Sequence, residues 1–261
     1  MKRISILFFA FLLFSFFGCK EVSNKIKPNT VFQYSTLSAL LEGVYDGELS
    51  VGELKQYGNY GIGTFNALDG ELLLFDGFCY KAQSNSQVVK VNDDQKIPFA
   101  TACYFIPDTV VMFKGLRSLQ EVENQIDSIV PSTNLLYAYK ITGEFDSIII
   151  RSVPKQEKPY LRLIEAFKKQ GVYTYEKENG VLFGYKFPNY LKDVNMNAFH
   201  LHFLSDDKSR GGHLLSCKLK DVTVEVAFVR NYQLELPNSA FFNQSSLTNK
   251  RSELTAIEGG R

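Results

Sequence analysis

All three histidines of this 261-residue chain fall within fourteen consecutive positions, as His200, His202 and His213. Alternate side chains of a β-strand point to the same face, so His200 and His202 share a face. The polar segment 205–212 ends in Gly-Gly, which predicts a hairpin loop that returns His213 beside the pair. Three imidazoles that converge on one point, with a fourth position open, match a catalytic zinc site. Imidazole also binds copper, iron and nickel, so the pattern favours zinc without excluding those metals.

The alternative to a metal site is a set of core histidines. A single histidine on an apolar strand is more often a core residue than a ligand. Phe199, Leu201 and Phe203 alternate with the histidine pair, and we expect them to form a buried layer on the opposite face. The third histidine across the predicted hairpin, with none elsewhere in the chain, favours the metal site.

Strand-like segments dominate the rest of the sequence. Asp76-Gly77 between two apolar runs is a strong hairpin signal. It predicts strands over 71–75 and 78–82, and weaker turn signals predict hairpins of 135–141 with 145–153 and of 172–176 with 181–187. A long strand is predicted over 214–229.

Three short helices are predicted. Ser118 and Glu121 form a capping box ahead of an apolar stripe, and a short helix runs from about Thr36 to Leu41. Pro159 opens another helix that ends before Gly171, with Leu161, Ile164 and Phe167 expected to point inward. These elements predict a sheet-rich α+β fold of two mixed or antiparallel β-sheet domains. The polar, proline-broken stretch after Val153 predicts a boundary between an N-terminal domain, 30–155, and a C-terminal domain, 156–261, that carries the metal site.

The N-terminus has the pattern of an export signal. Lys2 and Arg3 precede an apolar run over 4–17, which predicts a signal peptide over 1–18 and a polar tether over 19–29. Gly18-Cys19 resembles a bacterial lipobox, so Cys19 is expected to carry a lipid. The predicted location is an exported, membrane-anchored lipoprotein facing the periplasm or the cell surface, and the alternative is an ordinary cleaved signal with an incidental cysteine.

Charge and cysteine usage exclude several classes of function. The chain has 29 basic and 28 acidic residues, and loss of Lys2 and Arg3 leaves 27 against 28, so we expect no nucleic-acid partner. Cys79, Cys103 and Cys217 are widely spaced and lie in apolar runs. Buried thiols are therefore predicted, with a single disulfide as the alternative.

Several segments together resemble the bacterial alpha-acetolactate decarboxylases. The most specific are Phe-His-Leu-His-Phe-Leu-Ser over 199–205 with Gly-Gly-His-Leu over 211–214, and Leu-Asp-Gly-Glu-Leu over 68–72. Weaker similarities cover 63–66, 150–159, 236–238 and 256–258. The similarity spans nearly the whole chain after residue 30.

The resemblance implies a two-domain, sheet-rich and dimeric enzyme that converts 2-acetolactate to acetoin and carbon dioxide without thiamine or pyridoxal cofactors. It implies zinc held by His200, His202 and His213. It also implies an active-site arginine at Arg151 and active-site acids at Glu71 and Glu258, with Glu253 as the competing candidate for the second.

A chemical role follows for each of these groups. Zinc can chelate the ketone and hydroxyl oxygens of acetolactate as a Lewis acid. Arg151 can hold the substrate carboxylate in a bidentate pair, and Glu71 or Glu258 can deliver the proton. The alternatives are a surface role for Glu71 and a buried salt bridge for Arg151. The alternative for the whole protein is a non-catalytic periplasmic metal-binding lipoprotein.

Overall fold

A computed structural model describes residues 27–115 and 118–247 of the chain. The predicted signal peptide, Cys19, Glu253 and Glu258 lie outside the described residues. Within those two ranges no helix is both long and apolar enough to cross a membrane.

The described ranges hold short helices and mostly short strands, with three strands of 16 residues or more. The strands are β1 (Thr30–Tyr34), β2 (Leu49–Ser50), β3 (Tyr60–Thr64), β4 (Glu71–Phe75), β5 (Phe78–Ala82), β6 (Val88–Lys90), β7 (Lys96–Ile97), β8 (Phe99–Cys103), β9 (Thr109–Phe113), β10 (Leu136–Ser152), β11 (Gly171–Lys186), β12 (Phe199–Ser205), β13 (Gly211–Val229) and β14 (Asn231–Glu235). The α-helices are α1 (Leu37–Leu41), α2 (Val51–Leu54), α3 (Leu119–Ile129), α4 (Leu163–Ala166) and α5 (Ala240–Gln244).

Two large sheets build the fold. The first has the strand order β14-β1-β8-β3-β4-β5-β6 and is mixed, because β14 runs parallel to β1. The second has the order β10-β11-β12-β13-β9 and is antiparallel. Strand β10 also pairs with β13, so β10 to β13 close on one another. The predicted sheet-rich α+β class with few short helices is confirmed.

The two sheets exchange strands along the chain. β9 and β10 precede residue 155 but lie in the second sheet, whereas β14 follows that residue and pairs with β1 in the first. The division into domains 30–155 and 156–261 stays a prediction, and sheet membership does not follow it.

The hairpin of β4 and β5 forms where the sequence predicted it. Asp76 and Gly77 connect the strands with φ angles of 51° and 78°, the left-handed pair that a tight type I′ turn requires. Glycine adopts this conformation without steric cost, and aspartate tolerates it.

The other two predicted hairpins are wrong, because each is a single continuous strand. Gly143 and Gly180 lie opposite one another in the register of β10 and β11, inside the sheet. A Cβ at Gly143 would lie 2.7 Å from the Asp221 carbonyl oxygen, and one at Gly180 would lie 2.6 Å from the Leu204 carbonyl oxygen. These glycines therefore allow close strand approach and do not mark turns.

Helices α1 and α3 agree with the prediction. The Thr36 hydroxyl accepts a hydrogen bond from the Ala39 N–H, and the Ser118 hydroxyl accepts one from the Glu121 N–H. The apolar stripe of α3 is buried against the second sheet.

The predicted helix after Pro159 is much shorter than expected. It comprises α4 and one 3₁₀ turn, Phe167–Lys169. Tertiary contacts hold the preceding residues extended, because Tyr160 donates a hydrogen bond to Asp46 and Arg162 pairs with Glu42. Leu161, expected to point inward, is 42% exposed.

One apolar cluster lies between α3 and the second sheet, and another lies between the two sheets. Phe199, Leu201 and Phe203 belong to the cluster beneath α3, on the face of β12 opposite the histidines, as predicted. Among the described residues, Cys79, Cys103 and Cys217 are buried and none forms a disulfide.

Candidate metal centre and active site

The three histidines form one buried cluster. His202 on β12 lies directly opposite His213 on β13, and His200 shares the face of His202. The ring centroids are 5.3 Å apart for His200 and His202, 5.0 Å for His200 and His213, and 5.4 Å for His202 and His213. One nitrogen from each ring lies within 4.8 Å of the other two. The sequence prediction that these side chains converge is confirmed.

Two glycines allow β13 to enter this crowded region. The Gly-Gly pair was predicted to end a loop, but Gly211 and Gly212 are the first residues of β13. A Cβ at Gly212 would lie 2.6 Å from the Arg151 carbonyl oxygen, and one at Gly211 would lie 2.8 Å from a Leu73 side-chain carbon. The absent side chains let His213 pair with Arg151 in the register of β10 and β13.

A backbone hydrogen bond orients the ring of His202. Its Nδ1 lies 3.1 Å from the carbonyl oxygen of Leu72 on β4. A carbonyl can only accept, so Nδ1 carries the proton and the Nε2 lone pair is left for a ligand. Backbone support of this kind commonly fixes the orientation of metal-binding histidines.

The environment keeps two of the rings neutral. Burial, reinforced by the charge of Arg151, lowers the pKa of His200 to about 3. Burial is also the main reason why the pKa of His202 lies well below its ordinary value, and His200 and Arg151 add to that shift. Neutral imidazole is the form that binds a metal, so these rings need to lose no proton at neutral pH.

The donor set fits a transition metal. Zinc binds histidine nitrogen at about 2.0–2.1 Å, and tetrahedral angles place two such nitrogens about 3.4 Å apart. The three nitrogens lie within 4.8 Å of one another, so the rings would move together by about 1.4 Å at most around an ion. Imidazoles alone suit zinc, copper, iron or nickel better than calcium or magnesium, which prefer oxygen ligands.

Glu71 lies beside the histidine cluster as the first residue of β4. Its Oε2 is 3.8 Å from Nε2 of His202, too far for a direct hydrogen bond, and its side chain is 12% exposed. Burial raises the pKa of Glu71 to about 7, and the charge of Arg151 opposes the rise. Glu71 is therefore no solvated surface group, and its carboxyl group can hold a proton near neutral pH.

Arg151 lies near the end of β10 and is 4% exposed. The carbon of its guanidinium group lies 4.1 Å above the centroid of the Phe167 ring. Its Nη1 also lies 3.5 Å from Oε1 of Gln170, at the limit of a hydrogen bond. The positive charge of Arg151 lowers the pKa values of Glu71, His200 and His202.

These groups share one cavity between the two sheets. His200, His202, His213, Glu71 and Arg151 line it together. The remaining wall is largely apolar and comes from α1, α4, the start of β8 and connecting segments, as Leu37, Leu40, Leu68, Phe99, Leu163, Phe167 and Met196. The sequence did not identify this wall, because an apolar residue facing a cavity has the same pattern as one facing the core.

Two acidic residues close to the histidines in sequence are not part of the site. Asp206 and Asp207 lie within the predicted loop, and both are exposed in the hairpin between β12 and β13. The second candidate acid, Glu258 or its competitor Glu253, lies outside the described residues and stays a prediction.

Comparison with known proteins gives a consistent result along the chain. The family model for alpha-acetolactate decarboxylase matches residues 31–249. An alpha-acetolactate decarboxylase of Methanosarcina mazei is 38% identical over 239 residues, which cover 91% of this chain and 83% of the relative. One from Bacillus subtilis is 37% identical over 219 residues, which cover 84% of this chain and 86% of the relative.

Solved structures agree with the sequence comparison. The crystal structure of alpha-acetolactate decarboxylase from Bacillus subtilis strain 168 superposes with a TM-score of 0.85 at 36% identity, over 88% of this chain and 99% of that one. A Staphylococcus aureus protein described as similar to alpha-acetolactate decarboxylase superposes with a TM-score of 0.84 at 30% identity, over 89% of this chain and 100% of that one.

Proposed function

The chain belongs to the alpha-acetolactate decarboxylase family, and we propose that it converts 2-acetolactate to acetoin and carbon dioxide in the cavity between its two sheets. The observation that carries the proposal is the buried cluster of His200, His202 and His213 with Glu71 and Arg151 on the same cavity wall.

We propose zinc as the metal of this site. His200, His202 and His213 would hold it, and their three nitrogen donors leave a position for substrate. When bound, zinc supplies a Lewis acid for the ketone and hydroxyl oxygens of the substrate.

Arg151 is proposed to bind the substrate carboxylate. Its guanidinium group is buried at the cavity wall, where a planar fork can donate two parallel hydrogen bonds to a carboxylate. Fixing the carboxylate beside the histidine cluster aligns the bond that breaks and restricts the motion of the substrate. The carboxylate leaves as neutral carbon dioxide, which Arg151 binds weakly.

Glu71 is proposed to donate the proton that replaces the lost carboxyl group. Its carboxyl lies within 3.8 Å of His202 Nε2, next to the place where the substrate carbon would lie. A group that holds a proton near neutral pH can give it up without a large energetic penalty. Glu258 is the second candidate for this role, and Glu253 the third.

The apolar wall is proposed to exclude water from the reacting carbon. Leu40, Leu163 and Met196 line the same cavity as the charged groups. A site with little water strengthens the electrostatic interactions inside it. Exclusion of water also reduces non-specific protonation of the carbanion. A chiral product requires that the proton arrives on one face only.

The test is the stoichiometric appearance of acetoin and carbon dioxide from 2-acetolactate. Purified zinc-loaded protein should form both in equal amounts, and His202→Ala should form neither above the spontaneous rate. The alternative, a metal-binding lipoprotein without catalysis, predicts bound zinc but no acetoin from the wild-type protein, and that result would overturn the proposal.

We also propose that the chain forms a homodimer, as the family resemblance implies. Val110 and Met112 are 60% and 62% exposed on β9, an edge strand of the second sheet, and exposed apolar edges favour association. Light scattering after gel filtration should give twice the monomer mass. A monomer mass at micromolar concentration would contradict it.

We propose further that Cys19 anchors the protein to a membrane. The support is the lipobox-like Gly18-Cys19 after a short apolar run. Cys19→Ser should move the protein from the membrane fraction to the soluble fraction. A wild-type protein whose mature N-terminus is not Cys19 would overturn this proposal.

A further inference from the structure

We infer that Phe167 is a positioning residue that holds the guanidinium group of Arg151 in the orientation needed to bind the substrate carboxylate. This inference rests on the proposed role of Arg151 as the carboxylate-binding group. It adds the 3₁₀ turn after α4, an element that holds none of the predicted site residues, to the parts of the fold on which substrate affinity depends.

The geometry places a flat ring against a flat cation. The guanidinium carbon of Arg151 lies 4.1 Å from the centroid of the Phe167 ring, within the distance at which an aromatic face attracts a cation. The attraction is larger when the cation is removed from water, and Arg151 is 4% exposed. Arginine also stacks on aromatic faces while its N–H groups stay available at its edge.

The position of Phe167 in the chain fixes this contact from two sides. Phe167 begins the 3₁₀ turn that follows α4, and Leu163 and Ala166 bury α4 in the apolar cluster beside the cavity. Beyond the turn, β11 begins at Gly171 and pairs with β10 where Val172 lies opposite Arg151. The guanidinium group is therefore attached to β10, and the ring is attached to the segment that connects β10 with β11.

Gln170 adds a second restraint from the same segment. Its Oε1 lies 3.5 Å from Nη1 of Arg151, which is long for a hydrogen bond. The ring face restricts the guanidinium plane, and the amide restricts its rotation within that plane.

A competing role for Phe167 must be separated from this one. The ring also lines the cavity, so it could contact the alkyl groups of the substrate directly. Direct contact would affect neutral and anionic ligands alike and would not depend on the charge of Arg151. Positioning of Arg151 affects only ligands with a carboxylate and disappears when the guanidinium group is removed.

The experiment is a double-mutant cycle on the zinc-loaded enzyme with 2-acetolactate as substrate. Phe167→Leu and Phe167→Met remove the aromatic face at similar volume, and Phe167→Tyr retains it. Each is measured with Arg151 and with Arg151→Gln, which removes the charge. Phe113→Leu is the matched control, because Phe113 is also half-buried but lies away from the cavity.

We expect Phe167→Leu and Phe167→Met to raise KM about 3- to 30-fold, with a smaller change in kcat. Bound zinc should stay at one per chain, Phe167→Tyr should stay within about twofold of wild type, and Phe113→Leu should change neither constant. With Arg151→Gln, the same substitutions at position 167 should change KM less than about twofold. The inhibition constant of neutral acetoin should not move.

The outcomes that overturn the inference are distinct from failure of the proposed function. If Arg151→Gln raises KM but the substitutions at position 167 do not, Phe167 does not position Arg151. Equal effects of Phe167→Leu with Arg151 and with Arg151→Gln would assign direct substrate contact to the ring. If Arg151→Gln leaves KM unchanged, the proposed carboxylate-binding role fails and the inference fails with it. The Met variant keeps the test valid if the Leu variant does not fold.

Discussion

The Nδ1 of His202 lies 3.1 Å from the backbone carbonyl oxygen of Leu72, so the ring in the second sheet is oriented by a strand of the first. Glu71 precedes Leu72 on that strand, so β4 supplies both the support for the histidine and the neighbouring carboxyl group. The site therefore depends on the packing of the two sheets as well as on the hairpin of β12 and β13.

Replacement of each histidine should remove the metal. His200→Ala, His202→Ala and His213→Ala each leave two ligands, which is too few to hold zinc tightly through dialysis. We expect the zinc content to fall from about one per chain to near zero by elemental analysis, with an unchanged far-ultraviolet circular dichroism spectrum. Asp206→Asn, at an exposed position of the adjacent loop, is the control and should keep its zinc. Full zinc content in two of the three alanine variants would refute the ligand assignment.

Glu71→Gln should separate proton transfer from metal binding. The amide keeps the shape of the side chain but cannot release a proton, so kcat should fall by roughly 10²- to 10⁴-fold, the usual contribution of a positioned acid or base. Zinc content should stay near one per chain. If kcat stays within a few-fold of wild type, Glu71 is not the acid, and Glu258 and then Glu253 should be tested.

Arg151→Lys should weaken substrate binding more than it affects the metal. Lysine keeps the charge but replaces a planar fork with a point charge, so one of two hydrogen bonds to the carboxylate is lost. We expect KM to rise roughly tenfold, in line with about 1.5 kcal/mol for a hydrogen bond to a charged group. A KM close to that of wild type in steady-state kinetics would argue against bidentate binding.

The buried thiols should not react in the folded protein. Burial raises the pKa of Cys79 and of Cys103 to about 12, so at pH 8 only about 10⁻⁴ of each is the reactive thiolate, against about a quarter for an ordinary cysteine. Raising the pH towards 12 increases that fraction. Iodoacetamide labelling at pH 8, mapped by mass spectrometry, should mark both sites only after unfolding. Rapid labelling of the native protein would contradict their burial.

The histidine cluster could be predicted from the sequence because its spacing is local. His200 and His202 share a face through the two-residue period of a strand, and a short hairpin returns His213. The turn at Asp76 and Gly77 was predictable for the same reason. Both depend on a few consecutive residues whose backbone preferences agree with the final fold.

The long strands β10 and β11 could not be predicted in the same way. Gly143 and Gly180 have the same local pattern in a turn as at a close contact between strands. Only pairing with residues far along the chain distinguishes the two, as when Gly143 lies opposite both Gly180 and Val222.

The apolar cavity wall escaped prediction for a similar reason. Phe167 was expected to point inward from a helix, and it does approach the interior, but the group beneath it is the guanidinium of Arg151. Nothing in the order of apolar residues distinguishes a ring packed on a cation from one packed on a hydrocarbon core.

Titration of metal-free protein with zinc tests the central claim most directly, with acetoin formation from 2-acetolactate and bound zinc measured on the same samples. The trihistidine site predicts no activity above the spontaneous rate without metal, a linear rise with bound zinc, and a plateau at one zinc per chain. His202→Ala should stay inactive throughout the titration. Full activity in a rigorously metal-free wild-type sample would contradict a catalytic metal centre at these histidines.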